Sequence, residues 1–433
     1  SDELPAQIVK LVESGYNVDT DAANAERMEI YYGNVLRHSA ATGFMRWDAR
    51  RWVRDEGGSF AQECARDIGR RILREMSLIH FDYRKKLEKW AQKTMMFERI
   101  RAMVKLAAAR DGIRRDITDF DNENSYFMLN CLNGTVDLKT GTLKPHDRED
   151  HITKLTKFNY NAEATCPKFH AFLDRICSGD RELKQFLIRF MGYCLSGSIG
   201  EQVVPFFYGH GANGKSQFVK CLKLILGEYA TNCETSSFMQ QSQPGIRNDL
   251  ARLVGARVVT ASETNEGQKF DESLIKKISG DEQITARFLN HENFDYYPNF
   301  KLLLQGNHKP RVSGGDFAIQ RRLLLVPFLA TIPPEEKIKN YADILVKQEG
   351  EGILALAVQG CLDWQRLGLN PCDAIVNASK QYMQENDIIG TFLSERCRQE
   401  SGLNIPCKDL YIAYKQWCLD NGFKPFSAKR LGV

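Results

Sequence analysis

A chain of 433 residues with 43% apolar and 26% charged side chains can bury several cores, and two to four domains of ordinary size are expected. Its apolar runs stay below the roughly 20 residues that cross a bilayer, and Ser1-Asp2-Glu3-Leu4 lacks the layout of a signal peptide, so a cytoplasmic protein is expected. The twelve cysteines contain no C-x-x-C pair, which leaves a zinc ribbon or a disulfide framework without support. A net charge of +4 makes any nucleic-acid contact a matter of local clusters. The chain starts without methionine and stops just past the basic helix start Lys429-Arg430, which suggests an excised piece, and the missing methionine fits a domain removed upstream and a cleaved tag equally well.

Residues 1–117 read as mainly helical, because Glu63 to Leu78 and Leu87 to Ala109 repeat apolar residues three and four apart. Phe44 to Trp52 alternates enough for a small hairpin. Trp47 and Trp52, set among basic side chains, either stack on bases or pack as a β-ribbon, and the ribbon is favoured. Asp119-Phe120-Asp121 has the spacing of a two-metal carboxylate pair, but it lacks a third carboxylate and sits in a turn-rich stretch, which argues against that role. Residues 118–200 then read as small β-hairpins with turns at Asn133-Gly134 and Thr140-Gly141, followed by a helical collar at Pro167–Ile176 and Arg181–Leu195. An α/β unit follows at 201–335. Residues 336–433 read as helices from Glu349 to Leu367 and from Ile375 to Glu400, with a small terminal unit beginning at Lys408.

The α/β unit carries the chemistry. The apolar run Val203–Tyr208 leads into Gly209-His210-Gly211-Ala212-Asn213-Gly214-Lys215-Ser216 and then into an amphipathic stretch from Gln217, which reads as strand, glycine-rich loop and helix. Gly209, Gly211, Ala212, Asn213, Gly214 and Gln217 are placed to bind ATP. In such a loop the backbone N–H groups face the phosphates, Lys215 reaches the β/γ oxygens and the Ser216 hydroxyl ligates Mg²⁺.

A second strand, Arg257–Ala261, ends in Ser262-Glu263. A carboxylate at the end of a strand next to the loop can hold the Mg²⁺ shell and polarise the attacking water, which makes Glu263 the expected base and a metal ligand. A third strand, Phe300–Gln305, leads to Asn307, whose amide can orient the water. Arg321 and Arg322 precede the strand Leu323–Phe328. An arginine here can neutralise transition-state charge across a subunit boundary, with Arg322 narrowly favoured. Between these strands, Lys276, Lys277, Arg287, Asn290 and His291 lie on or beside a hairpin centred on Asn290–Asn293. Basic and aromatic side chains there suit single-stranded DNA, although a purely structural hairpin fits the sequence as well.

In order and wording these motifs resemble the superfamily 3 helicases, and within them the phage and plasmid primase-helicase family that includes the poxvirus-type helicase-primases. The residues concerned are Gly211–Ser216, Ala261–Thr264, Ser279–Arg287, Asn307–Pro310 and Arg321-Arg322, with similarity continuing through Asp19–Trp52, Asn133–Leu195 and Leu410–Arg430. The resemblance implies an α/β AAA+-like P-loop motor with a helical plus small-β amino-terminal domain and a small winged-helix-like tail, cut before its wing. It implies a homo-oligomer, a hexameric ring, that uses ATP and Mg²⁺ at subunit interfaces to translocate 3′ to 5′ on single-stranded or forked DNA. His291 would sit on the channel hairpin. It further implies a fused or separate primase-polymerase partner, in a bacterial host cytoplasm or a viral replication site. One departure is that Ser262 stands where many members have a first carboxylate, so Glu263 serves both metal and water. An ATP-switched origin-binding or loader protein that does not unwind processively is the alternative.

Overall fold

The computed structural model describes residues 4–14, 18–240, 248–262, 270–280, 282–288, 293–307, 319, 321–398, 400–423 and 425–431. Near the amino terminus, α1 (Ala6–Glu13) and α2 (Asp21–Tyr32) precede a three-stranded antiparallel sheet of β1 (Leu36–Ser39), β2 (Gly43–Trp47) and β3 (Trp52–Arg54). The Phe44–Trp52 hairpin is therefore real, and Leu36–Ser39 adds a strand that the helical reading of this region passed over. Trp52 is fully buried and its indole N–H donates to the Arg148 carbonyl at 2.8 Å, so this tryptophan is packed rather than free to stack on a base.

Helices α3 (Ser59–Glu75), α4 (Phe81–Thr94) and α5 (Phe97–Ala107) complete the unit. The Asp55 carboxylate caps α3 by accepting the N–H groups of Phe60 and Ala61, each at 2.9 Å. The apolar face of α3 is Ala61, Cys64, Ala65, Ile68 and Ile72, a three- and four-residue repeat that packs with Met28, Leu87, Ala91 and Met103. Beside it, Arg27 and Glu75 form a fully buried ion pair at 2.8 Å. The expected helix from Leu87 to Ala109 is two helices, which break between Thr94 and Phe97.

A second antiparallel sheet joins β4 (Met128–Cys131), β5 (Gly134–Asp137) and β6 (Thr142–Lys144). Cys131 pairs with Gly134, so the tight turn is centred on Leu132-Asn133, one residue before the expected Asn133-Gly134. The collar helices α6 (Pro167–Ile176) and α7 (Arg181–Leu195) end where the sequence placed them.

The main sheet contains β7 (Val204–Tyr208), β8 (Ala230–Asn232), β9 (Val258–Ser262), β12 (Lys301–Gly306) and β13 (Leu323–Pro327), all parallel, in the order β13-β7-β12-β9-β8. Helix α8 (Lys215–Leu226) follows β7, while α9 (Asn248–Ala251) and α10 (Glu272–Ser279) lie between β8 and the hairpin of β10 (Ile284–Ala286) and β11 (Phe294–Tyr296). A parallel sheet must be covered on both faces. Phe207, Val258, Leu303 and Val326 point into a core shared with α6, α7, α8 and α11 (Tyr341–Leu367). Phe206, Val259, Leu304 and Leu325 point into the opposite core with α10, the hairpin and α12 (Asp373–Asn386).

Helices α7 and α11 touch through glycine. A Cβ at Gly192 would lie 2.0 Å from the Cys361 nitrogen, and one at Gly360 would lie 2.3 Å from the Ile188 carbonyl oxygen. The first core therefore runs without interruption from Leu129 to Ile375, across the boundaries at 200 and 335 read from sequence. The tail, α13 (Ile388–Arg396), α14 (Cys407–Asp420) and α15 (Ala428–Leu431), has a separate small core of Phe392, Tyr414, Trp417 and Cys418. Among the described residues, no helix is long and apolar enough to cross a membrane.

Candidate functional site

The loop between β7 and α8 is shaped by close approach. Gly209 has φ +155°, and a Cβ there would lie 2.2 Å from the Phe328 carbonyl oxygen. At Gly214, φ +80°, a Cβ would lie 2.3 Å from Ile176 Cγ2. Both positions therefore demand glycine. Gly211 differs, since a Cβ there would meet nothing within 4 Å, and the loop opens outward at that point. Asn213 is the internal brace: its amide donates to the His210 carbonyl at 2.6 Å and to Phe328 at 3.1 Å, while its Oδ1 accepts the Lys215 N–H at 3.3 Å. The Ala212 carbonyl accepts from Ile332 at 2.7 Å.

Lys215 starts α8 and is only 6% exposed. Its ammonium donates to the carbonyls of Gly306 at 2.8 Å and Gly209 at 3.4 Å, and to Asn307 Oδ1 at 3.3 Å. It thus bridges the carboxyl ends of β7 and β12. Burial holds its pKa below the usual lysine value. Ser216 is exposed on the first turn of α8, and the Gln217 amide oxygen is taken by the Ala342 N–H at 2.9 Å, which ties the loop helix to α11.

Two cavities flank the start of α8. One, of about 430 Å³, is lined by Phe172, Ala212, Gly214, Gln217, Ile332, Ile338 and Tyr341, with Arg175 and Glu336 paired at 2.7 Å on its rim. The other, of about 720 Å³, is lined by Ser216, Lys220, Lys223, Glu234, Asp249, Thr260 and Gln305. Ala212, Gly214 and Gln217 were read from sequence, whereas Phe172, Ile332, Ile338 and Tyr341 were not. These four come from α6, from the loop after β13 and from the start of α11, and no local pattern links them.

Asn307 is exposed at the end of β12. Glu263, Asn290 and His291 lie outside the described residues. The strand carrying Ser262 is not next to the loop strand as expected, because β12 pairs with both β7 and β9 and so stands between them. The structure thus puts Asn307, rather than Ser262-Glu263, on the strand adjacent to the loop.

Arg321 is exposed, whereas Arg322, favoured from sequence, is 7% exposed and packs where a Cβ on Gly280 would lie 3.1 Å from its guanidinium. That places a cation at the carboxyl end of α10, a favourable position in the helix field. Lys277 is exposed on α10, Lys276 is half-buried there, and Arg287 is half-buried just after β10. The hairpin is antiparallel as expected, and Phe288 stacks on Phe294 with ring centres 5.4 Å apart.

At the opposite end of the strands, Arg257 and Lys301 anchor the sheet to the preceding region. Arg257 donates to the carbonyls of Leu195, Ser125 and Met128, and Lys301 donates to those of Ser196 and Ser198. Neither role was read from the sequence.

Comparison with known proteins fits this layout. Residues 25–178 match the family described as D5 N terminal like, residues 207–322 the Family of unknown function (DUF5906), and residues 384–432 the family described as Poxvirus D5 protein-like. Among curated relatives, "Putative helicase L207/L206" of Acanthamoeba polyphaga mimivirus is 24% identical over 326 residues, 69% of this chain and 34% of that protein. "Primase D5" of Fowlpox virus (strain NVSL) is 26% identical over 214 residues, 46% of this chain and 27% of that protein. Over residues 25–178 and 384–432 the chain is thus similar to D5-type primase-helicases. Of the solved structures, "The A form apo structure of NrS-1 C terminal region-CTR" is 14% identical over 89% of this chain and 77% of that chain, with a TM-score of 0.44. The chain spans about a third of the length of the first curated relatives it matches.

Proposed function

We propose that this chain is the ATP-driven DNA helicase motor of a mobile-element replication protein. The observation that carries the reading is the position of Lys215, whose ammonium spans the ends of β7 and β12 and touches Asn307. A cation there faces the γ-phosphate of a nucleotide seated on the loop, and the Asn307 amide lies beside it to orient the attacking water. The strand order, with the loop strand between β13 and β12, supports an AAA+-like arrangement.

The residues present fit ATP and Mg²⁺. The open space at Gly211 and the N–H groups before α8 suit phosphates. The cavity lined by Phe172, Ile338 and Tyr341 suits a nucleobase. The oxygen donors Ser216, Glu234, Asp249, Thr260 and Gln305 beside the other cavity are the hard ligands that Mg²⁺ accepts. When bound, Mg²⁺ neutralises charge on the phosphate oxygens. Glu263 acts as base, and Ser216 and Glu263 hold the metal.

The arginine that reaches a neighbouring subunit is Arg321, because it is exposed and Arg322 is not. Active sites shared in this way require a ring, taken to be a hexamer, in which Lys276, Lys277, Arg287, Asn290 and His291 contact single-stranded DNA and draw it 3′ to 5′. A primase-polymerase, fused or separate, completes the replication protein. The test is ATP hydrolysis with and without single-stranded DNA, together with strand displacement on a fork. Lys215→Ala should abolish all three, and hydrolysis that survives this change refutes the proposal. Hydrolysis without strand displacement in the unaltered protein would favour the loader alternative.

A further inference from the structure

The net charge of +4 hides a strong separation. Residues 59–115 contain fifteen Lys or Arg against seven Asp or Glu, a net +8, so the remainder of the chain is net −4. Within this segment α4 is mostly exposed, sinking Leu87, Ala91 and Thr94 into the bundle. Lys85, Lys89 and Lys93 are exposed and four residues apart, which aligns them in one row with a step of about 6 Å on the face opposite the buried one. None of the three has an ion-pair partner among the described residues. Lys86 beside them is held by Asp19 at 2.8 Å, and the single carboxylate on the same face, Asp82, is held by His80 at 3.2 Å.

The aromatic side chains around the row are unusually exposed. Phe81 is 78% exposed, Tyr83 62% and Phe97 63%, with Met96 also 62% exposed in the turn that follows Lys93. Exposed aromatic rings between unpaired lysines match a polyanion that also presents flat faces. Those are the two features of single-stranded nucleic acid, whose phosphates are drawn by ammonium groups and whose bases stack on rings.

We propose that the α4 face and the α4–α5 turn form a binding surface for single-stranded nucleic acid, outside the motor and independent of nucleotide. It goes beyond the helicase assignment and stands whether or not the loop hydrolyses ATP. The surface holds a strand by its backbone along Lys85, Lys89 and Lys93, with Phe81, four residues before Lys85 in the same row, and Phe97, just past Lys93, offering stacking platforms at either end.

The test is fluorescence anisotropy of a labelled oligo-deoxythymidine against the whole chain without ATP, over about 50–200 mM salt. The triple variant K85Q/K89Q/K93Q should weaken binding by about tenfold or more and make the slope of log affinity against log salt shallower by about 2. Phe81→Ala with Phe97→Ala should weaken binding severalfold with the salt slope unchanged. The triple variant should keep the ATP hydrolysis that the unaltered chain shows without DNA, which separates this surface from the motor. Circular dichroism and the thermal midpoint check that each variant is folded. A folded triple variant whose affinity stays within about twofold, with the same salt slope, overturns the proposal. So does a triple variant that binds DNA normally but no longer assembles with copies of itself, which would assign the face to protein contacts.

Discussion

Lys301 gives the stability of the sheet a definite pH dependence. It is the first residue of β12 and 2% exposed, its ammonium donates to the carbonyls of Ser196 and Ser198, and the Tyr193 ring lies 4.7 Å away. Burial is the largest influence on it and pulls its pKa down to about 7 from an ordinary value of 10.5. Between pH 7 and 9 the unfolded chain therefore keeps a proton on Lys301 that the folded chain gives up. The unfolded state binds more protons, so the Lys301 contribution to stability rises with pH, by roughly 2 kcal/mol over the window. The upper limit is set by buried thiols. Cys131, Cys194 and Cys221 are pushed up to about 12 by burial, so above their ordinary value of 9 only the unfolded chain loses these protons and stability turns down. Lys301→Met keeps the bulk and removes the titration. The unaltered chain and the variant share the thiol contribution, so the urea midpoint of the unaltered chain relative to that of the variant should rise between pH 7 and pH 9. A difference that stays flat or narrows across this window refutes the reasoning.

Other outcomes follow from the packing and from the site. Gly192→Ala drives a methyl group into the Cys361 backbone, so it should cost about 3 kcal/mol or more, at or above the usual range for overpacking, as read from denaturant unfolding. Removing one partner of the buried Arg27–Glu75 pair strands a charge. Glu75→Ala should cost about 3–5 kcal/mol, whereas the double change Arg27→Met with Glu75→Leu should recover most of it. Asn307→Ala should leave nucleotide affinity, measured by titration of a fluorescent ATP analogue, within a few-fold, and slow hydrolysis by about a hundredfold. If affinity collapses instead, Asn307 is a binding residue and not a water-orienting one. Deleting 388–433 should leave the thermal transition of the remaining core in place, because the tail packs around its own Phe392–Trp417 cluster.

Legibility from sequence followed locality. The strands of the main sheet were readable because each is a short apolar run ending in polar residues, and the glycine-rich loop because its backbone needs are written in two glycines. The order of the strands was not. Nothing in Arg257–Ser262 or Lys301–Gly306 says which of them lies beside β7, and the register was settled only by tertiary packing. Leu36–Ser39 was missed because four residues with two basic side chains show too little alternation to mark a strand. The preference for Arg322 over Arg321 failed to anticipate burial, since adjacent arginines look alike until one is turned against the end of α10. Phe172 and Tyr341, 169 positions apart, meet beside the loop with ring centres 5.7 Å apart, and no spacing rule predicts such a meeting.

The uninterrupted core between Leu129 and Ile375 also decides how this protein can be dissected. A cut at 200 would strip α7 from α11 and leave the faces of Phe186, Phe190, Val358 and Trp364 open to water, so a fragment beginning at the loop strand should aggregate. The smallest excisable piece that retains the cavity beside the glycine-rich loop begins before β4 and ends after α12. The collar is thus an integral wall of the α/β unit rather than an appendage to it.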